Sequence, residues 1–190
     1  MARWGAAEDL LRTRKGAHAG RVTFVELFFD LVFVFAITQL SHGLLQHLSL
    51  TGVVQTGLMF VAVWWVWVNT SWCPNWLDPE KTPVRAMLMG LMLAGLCLST
   101  SIPDAFEDKG LGFALGLVAM QVGRSLFMLW ALHGHDKGNH RNFQRITVWL
   151  AVASCLWLAG AFTPPDVRLG LWAVAVLIES SGPAFGYRVP

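Results

Sequence analysis

The sequence predicts an all-α, polytopic transmembrane helix bundle of about six spans, and two observations lead there. Apolar residues make up 55% of the 190 residues and charged residues only 14%, with a mean hydropathy of +0.51. Soluble domains carry about 25% charged residues, because charge is what keeps a surface wet. The second observation is arrangement: the charge clusters in short stretches between long apolar runs. A chain that crosses a bilayer repeatedly reads this way, and the lipid bilayer is its expected partner. The length suits one domain. A net charge of +2, with basic residues dispersed among loops, offers no basic face for nucleic acid.

Residues 1–21 form a polar arm with Arg3, Arg12, Arg14, Lys15 and Arg21. Residues 22–190 form the transmembrane domain, with apolar runs at 22–45, 52–69, 84–102, 111–132, 146–162 and 169–187. Each is within the about 17–25 residues that cross a hydrocarbon core about 30 Å thick. In lipid every backbone donor must be satisfied within its own segment, so the runs are expected to be helices. The first run is too long for a signal-peptide core and carries Glu26 and Asp30, so it is expected to remain as a helix.

Alternate connections differ in Lys and Arg content. The arm, Lys81, Arg85, Lys137, Arg141, Arg145 and Arg188 place eleven basic residues on one side, against Lys109 and Arg168 on the other. By the positive-inside bias both termini are expected in the cytoplasm. Trp64, Trp65, Trp67, Trp72 and Trp76 crowd the same end of the second span, where an interfacial belt is expected. In the fourth run Gly112, Gly116, Ala119 and Gly123 form a small-residue stripe that lets another helix approach closely.

Four charged residues fall inside predicted spans: Glu26, Asp30, Arg124 and Glu179. A charge at membrane depth costs at least about 2.5–3.5 kcal/mol, so such residues usually face the protein interior. At 1.5 Å per residue, Asp30, Arg124 and Glu179 each lie about 12 Å below the cytoplasmic surface. Arg124 is therefore expected to meet Asp30, Glu179 or both. Glu26 and Asp30 share one helical face, with Thr23, Thr38 and Ser41 near the same stripe. Three carboxylates against one guanidinium suggest a proton or cation site, since a low-dielectric interior resists uncompensated charge. A purely structural ion pair fits the same residues. Gly182–Pro183 predicts a helix break one turn beyond Glu179.

Other chemistry finds little footing. Cys73, Cys97 and Cys155 have no metal-like or redox spacing. His133, His135, Asp136 and His140 match no strong metal motif and read as a solvated loop. No nucleophile elbow, phosphate-binding glycine loop, zinc-protease motif or dinucleotide fingerprint is present. Neither an enzyme nor a cofactor is expected.

The run VTFVELFFDLVFVFAITQLSHGLL, from Val22 to Leu45, resembles the opening signature of the bacterial low temperature requirement A family. The W-W-V-W-V-N-T-S-W run ending in Asn75–Pro79 with Pro83-Val84-Arg85, the segment around Gln121-Val122-Gly123-Arg124, and the Glu179–Pro183 region resemble it in the same order. By this likeness Glu26, Asp30, His42, Asn69, Asp78, Arg85 and Arg124 fall on signature positions. The resemblance implies a multi-pass protein of the bacterial inner membrane with a link to growth in the cold. It also implies a longer chain with more spans, leaving open a fragment, a truncated reading frame, a half-length member or a homo-oligomer. Two functions follow as expectations. One is a proton- or cation-coupled transporter or channel using Glu26, Asp30, Arg124 and Glu179. The other is a non-transporting stress or assembly factor in which those charges are structural.

Overall fold

The computed structural model describes residue 10, residues 24–133 and residues 137–185. The basic arm apart from Leu10, the loop residues His135 and Asp136, and the stretch from Tyr187 to Pro190 lie outside them. Among the described residues the regular elements are α1 (Phe24–Gln46), α2 (Leu50–Ser71), a single turn α3 (Cys73–Trp76), α4 (Thr82–Ser101), α5 (Gly110–Ala131), α6 (Lys137–Ala161) and α7 (Pro165–Phe185). Five of these, α1, α2, α4, α5 and α6, are long and apolar enough to cross a membrane. The remaining long helix, α7, has 21 residues but carries Asp166, Arg168 and Glu179.

Local chemistry sets the ends. Ser49 caps α2, its hydroxyl accepting from the Gly52 N–H at 3.1 Å. Proline sits in the first turn of α4 and opens α7, where its missing N–H costs nothing. Two bounds differ from the expectation. Helix α6 begins at Lys137 rather than 146, because its first turns hold Arg141, Gln144 and Arg145, polar residues that favour helix without being apolar. The break expected at Gly182–Pro183 is absent: α7 runs through Pro183 to Phe185. A proline this near a helix end removes one bond, the one its N–H would have given to the carbonyl of Glu179.

Helix α4 packs on α5 and α1, α5 on α6, and α6 on α7, while α2 lies against α1, α5 and α7. Short connections alternate the helix directions around this ring. Half of the expected small-residue stripe seats α5 on α4: a Cβ on Gly116 would lie 2.8 Å from the Leu98 Cβ, and one on Gly112 2.5 Å from the Ser101 hydroxyl, while Ala119 and Gly123 are exposed and a Cβ on Gly123 would meet nothing within 4 Å. Leu27, Phe28, Leu31, Phe60, Leu93 and Leu177 point outward, as lipid-facing positions do. At the end where α1 begins, a second cluster gathers Cys73, Leu77, Val84, Met128, Phe143 and Leu150. Leu10 joins it, its carbonyl accepting from the Asp78 N–H at 2.9 Å.

The opposite end is tied by Arg168, which the charge pattern assigned to a loop. It lies in the first turn of α7 and is buried. Its guanidinium donates to five backbone carbonyls: Ala105 at 2.7 Å and Glu107 at 3.0 Å, beyond the end of α4, and Gly160, Ala161 and Thr163 at 3.0–3.2 Å, closing α6. A guanidinium has five N–H bonds, so every donor is used. A Cβ on Gly110 would stand 2.7 Å from the Arg168 Cζ, which fixes glycine there. Arg168 also lies over the Trp172 ring, 5.8 Å from its centroid.

Two outcomes follow from these contacts. Arg168→Lys leaves at least two carbonyls without donors and should cost about 3 kcal/mol, read as a lowered Tm in detergent; an unchanged Tm would show the knot to be dispensable. Burial pushes the Cys73 thiol up to about 11 from 9.0, against an opposing pull from Arg124. A rise of that size leaves about a hundredfold less thiolate at neutral pH. With Cys97 and Cys155 replaced by serine, Cys73 should resist maleimide near neutral pH and react once the protein is unfolded. Labelling as fast as a free thiol would contradict its burial.

Candidate functional site

The buried polar core lies where α5, α6 and α7 meet. Glu179, on α7, is 1% exposed. One of its carboxylate oxygens accepts from the Trp157 indole N–H of α6 at 2.7 Å, and the other from the Gln121 amide of α5 at 3.0 Å. Side chains on antiparallel helices lean toward their own N-termini, so Glu179 and Trp157 reach toward each other along the bundle axis. Both donors are neutral. The Gln121 carbonyl oxygen is buried and has no hydrogen-bond partner among the described residues.

Trp157 is held in turn. Its carbonyl accepts from the Trp172 indole N–H at 3.0 Å, and the two rings stand 5.2 Å apart with Phe113 against both. Trp172 lies under Arg168, so one line of contacts runs from the Arg168 knot to the carboxylate. Close by, the Trp149 indole donates to the carbonyl of Ile178, the residue before Glu179. Each ring is pinned by packing and by its N–H, which leaves the carboxylate little freedom.

Arg124 sits one turn from Gln121 on the same face of α5 and is 4% exposed. Its guanidinium donates to the Thr70 hydroxyl at 2.7 Å and to the Val66 carbonyl at 3.4 Å, both on α2. The Thr70 hydroxyl in turn donates to the same Val66 carbonyl at 2.7 Å. Beside Arg124 a cavity of about 20 Å³, room for about one water, is lined by Asn69, Trp72, Cys73, Ser125 and Met128.

From the observed helix ends, Asp30, Arg124 and Glu179 lie about 9–10 Å in from the same end of the bundle, yet they take different partners. Asp30 is on the exposed side of α1 and accepts from the Trp67 indole of α2 at 2.9 Å. Glu26 is half-buried one turn earlier. Asp30 and Glu179 thus take neutral N–H donors in place of the expected Arg124: α2 lies against both α1 and α5, and Gln121 with Trp157 fills the place opposite Glu179. Among the remaining signature positions, His42 is exposed near the far end of α1. Asn69 bonds back to the Trp65 carbonyl at 2.8 Å. Asp78 accepts from the Glu80 N–H at 3.0 Å and Arg85 reaches the Glu80 carbonyl at 3.4 Å, so both shape the turn that opens α4.

Sequence reasoning missed Gln121, Trp157 and Thr70 as members of the core. Gln121 carried a signal, being an amide three residues before Arg124 inside an apolar run. Trp157 carried none, because a tryptophan in a span reads equally as core or as interface.

Comparison with known proteins then places the chain. The family model for the bacterial low temperature requirement A protein (LtrA) matches residues 21–189. An uncharacterized protein of Rhizobium meliloti (strain 1021) is 44% identical over 170 residues, 90% of this chain and 42% of that protein. This chain therefore spans less than half the length of that relative. No solved structure matches. A match over nearly the whole chain, with apolar helices long enough to span a bilayer, makes this a multi-pass membrane protein that belongs to the bacterial low temperature requirement A family.

Proposed function

We propose that this protein is a proton- or cation-coupled transporter or channel of the bacterial inner membrane, with both termini on the cytoplasmic side. Glu179 is its loading group, Glu26 and Asp30 are carboxylates near the cytoplasmic mouth, and Arg124 is the nearby fixed positive charge. One observation carries the reading: a carboxylate 1% exposed in the middle of a helical bundle, held by two neutral N–H donors. Removing a carboxylate from water costs several kcal/mol even after relaxation. A chain needing only a helix contact there would keep a leucine. An ionisable group kept at that depth has the character of a relay.

A second reading, a non-transporting stress or assembly factor, is favoured by Arg124. Its bonds to Thr70 and Val66 tie α5 to α2, as a structural residue would.

Flux separates the two. In proteoliposomes screened over protons and alkali cations, Glu179→Gln should lower flux by about tenfold or more, equivalent to about 1.4 kcal/mol in the barrier, with assembly intact. Asp30→Asn should lower it with little change in Tm. Full flux in both variants, or loss of fold together with flux, would favour the structural reading and the assembly role.

A further inference from the structure

Within the reading that Glu179 loads an ion, we infer that the ion is a bare proton and that the Gln121 amide turns over as the proton arrives. One N–H group reaches each carboxylate oxygen, from Gln121 and from Trp157. Both of these partners of Glu179 are therefore donors, whereas a hard cation requires several oxygens around it. A proton needs no such shell.

The orphaned Gln121 oxygen supplies the other half. Gln121 is 1% exposed; its Nε2 donates to Glu179 Oε2, and its Oε1 is buried without a partner among the described residues. A buried acceptor left unmade costs about 1–3 kcal/mol. Half a turn about the last side-chain torsion exchanges the two ends of the amide and brings Oε1 to Glu179. That pose suits a protonated carboxyl, which has an O–H to give where the carboxylate had only lone pairs. Hydronium delivers the proton and leaves as water. An O–H bond forms on Glu179 Oε2, the N–H···O bond from Gln121 is lost, and an O–H···O bond to Gln121 Oε1 replaces it. Discharge reverses each step and returns the proton to water. The carboxyl keeps an amide partner in both states.

The surrounding groups leave this exchange to Gln121. Helix α2, against α7, carries no Asp, Glu, Lys, Arg or His between Leu50 and Ser71. From Ile146 to Ala161 the one titratable residue of α6 is Cys155, which faces outward. Asp166 and Arg168 of α7 lie at its far end. On α5 Arg124 is the charged group at this level, and it is bonded to α2.

Infrared difference spectroscopy of the full chain in lipid, titrated with acid in potassium and then in sodium buffer, tests this. A protonated-carboxyl band should grow as pH falls, vanish in Glu179→Gln, and titrate at the same pH in both salts. Glutamine side-chain amide bands should change with it, and that change should vanish in Gln121→Met. If Glu179→Gln does not assemble, Glu179→Asp identifies the band by its displacement. Sodium shifting the midpoint by one pH unit would overturn the proton assignment while leaving cation coupling at Glu179 standing. Absence of any band that depends on Glu179 would overturn both. Amide changes persisting in Gln121→Met would overturn the amide reversal.

Discussion

A carboxylate buried inside a helical bundle has to be satisfied by hydrogen bonds, and much of this structure is arranged around that requirement. Glu179 takes its two donors from α5 and α6, so three helices must hold fixed positions for one side chain. The constraint continues outward. Trp157 serves the carboxylate with its indole and Trp172 with its carbonyl. Trp172 lies beneath Arg168, whose five donors join the end of α4 to the end of α6. Fixed dipoles prepared in this way stabilise charge without the reorganisation that water would need.

The two buried arginines show how position decides a charge's role. Arg168 sits at the bundle's end, where helix termini expose free carbonyls, and it saturates itself on them. Arg124 sits deeper, where helical carbonyls are already engaged, and it leans on a hydroxyl and one shared carbonyl of α2. One is a structural knot. The other ties α5 to α2.

Fold and site were unequally legible in the sequence. Long apolar runs broken by charged stretches disclose helices because the bilayer sets their length. Hydropathy cannot see where a helix continues into water, which is why α6 begins earlier than its apolar run. Depth was legible too: counting residues put Asp30, Arg124 and Glu179 at one level. Direction was not. Which way a side chain points depends on how six helices are rotated against one another, and small steric facts such as Gly116 against Leu98 decide that. Pairing by charge suggested Arg124 as a partner for Asp30 or Glu179. The fold instead gives Asp30 and Glu179 neutral N–H donors. Trp67, read as part of an interfacial belt, supplies the donor to Asp30, and Trp157, which carried no signal, supplies one to Glu179.

The site depends on the bond from the Trp157 indole to the buried Glu179 carboxylate. Nuclear magnetic resonance of the chain labelled with 15N-tryptophan in lipid nanodiscs, assigned with Trp157→Phe, reads that bond directly. The Trp157 indole N–H should exchange slowly with deuterium and show the low-field position of a strong hydrogen bond, and Glu179→Gln should move it. A rapidly exchanging Trp157 signal that is indifferent to Glu179 would contradict the account.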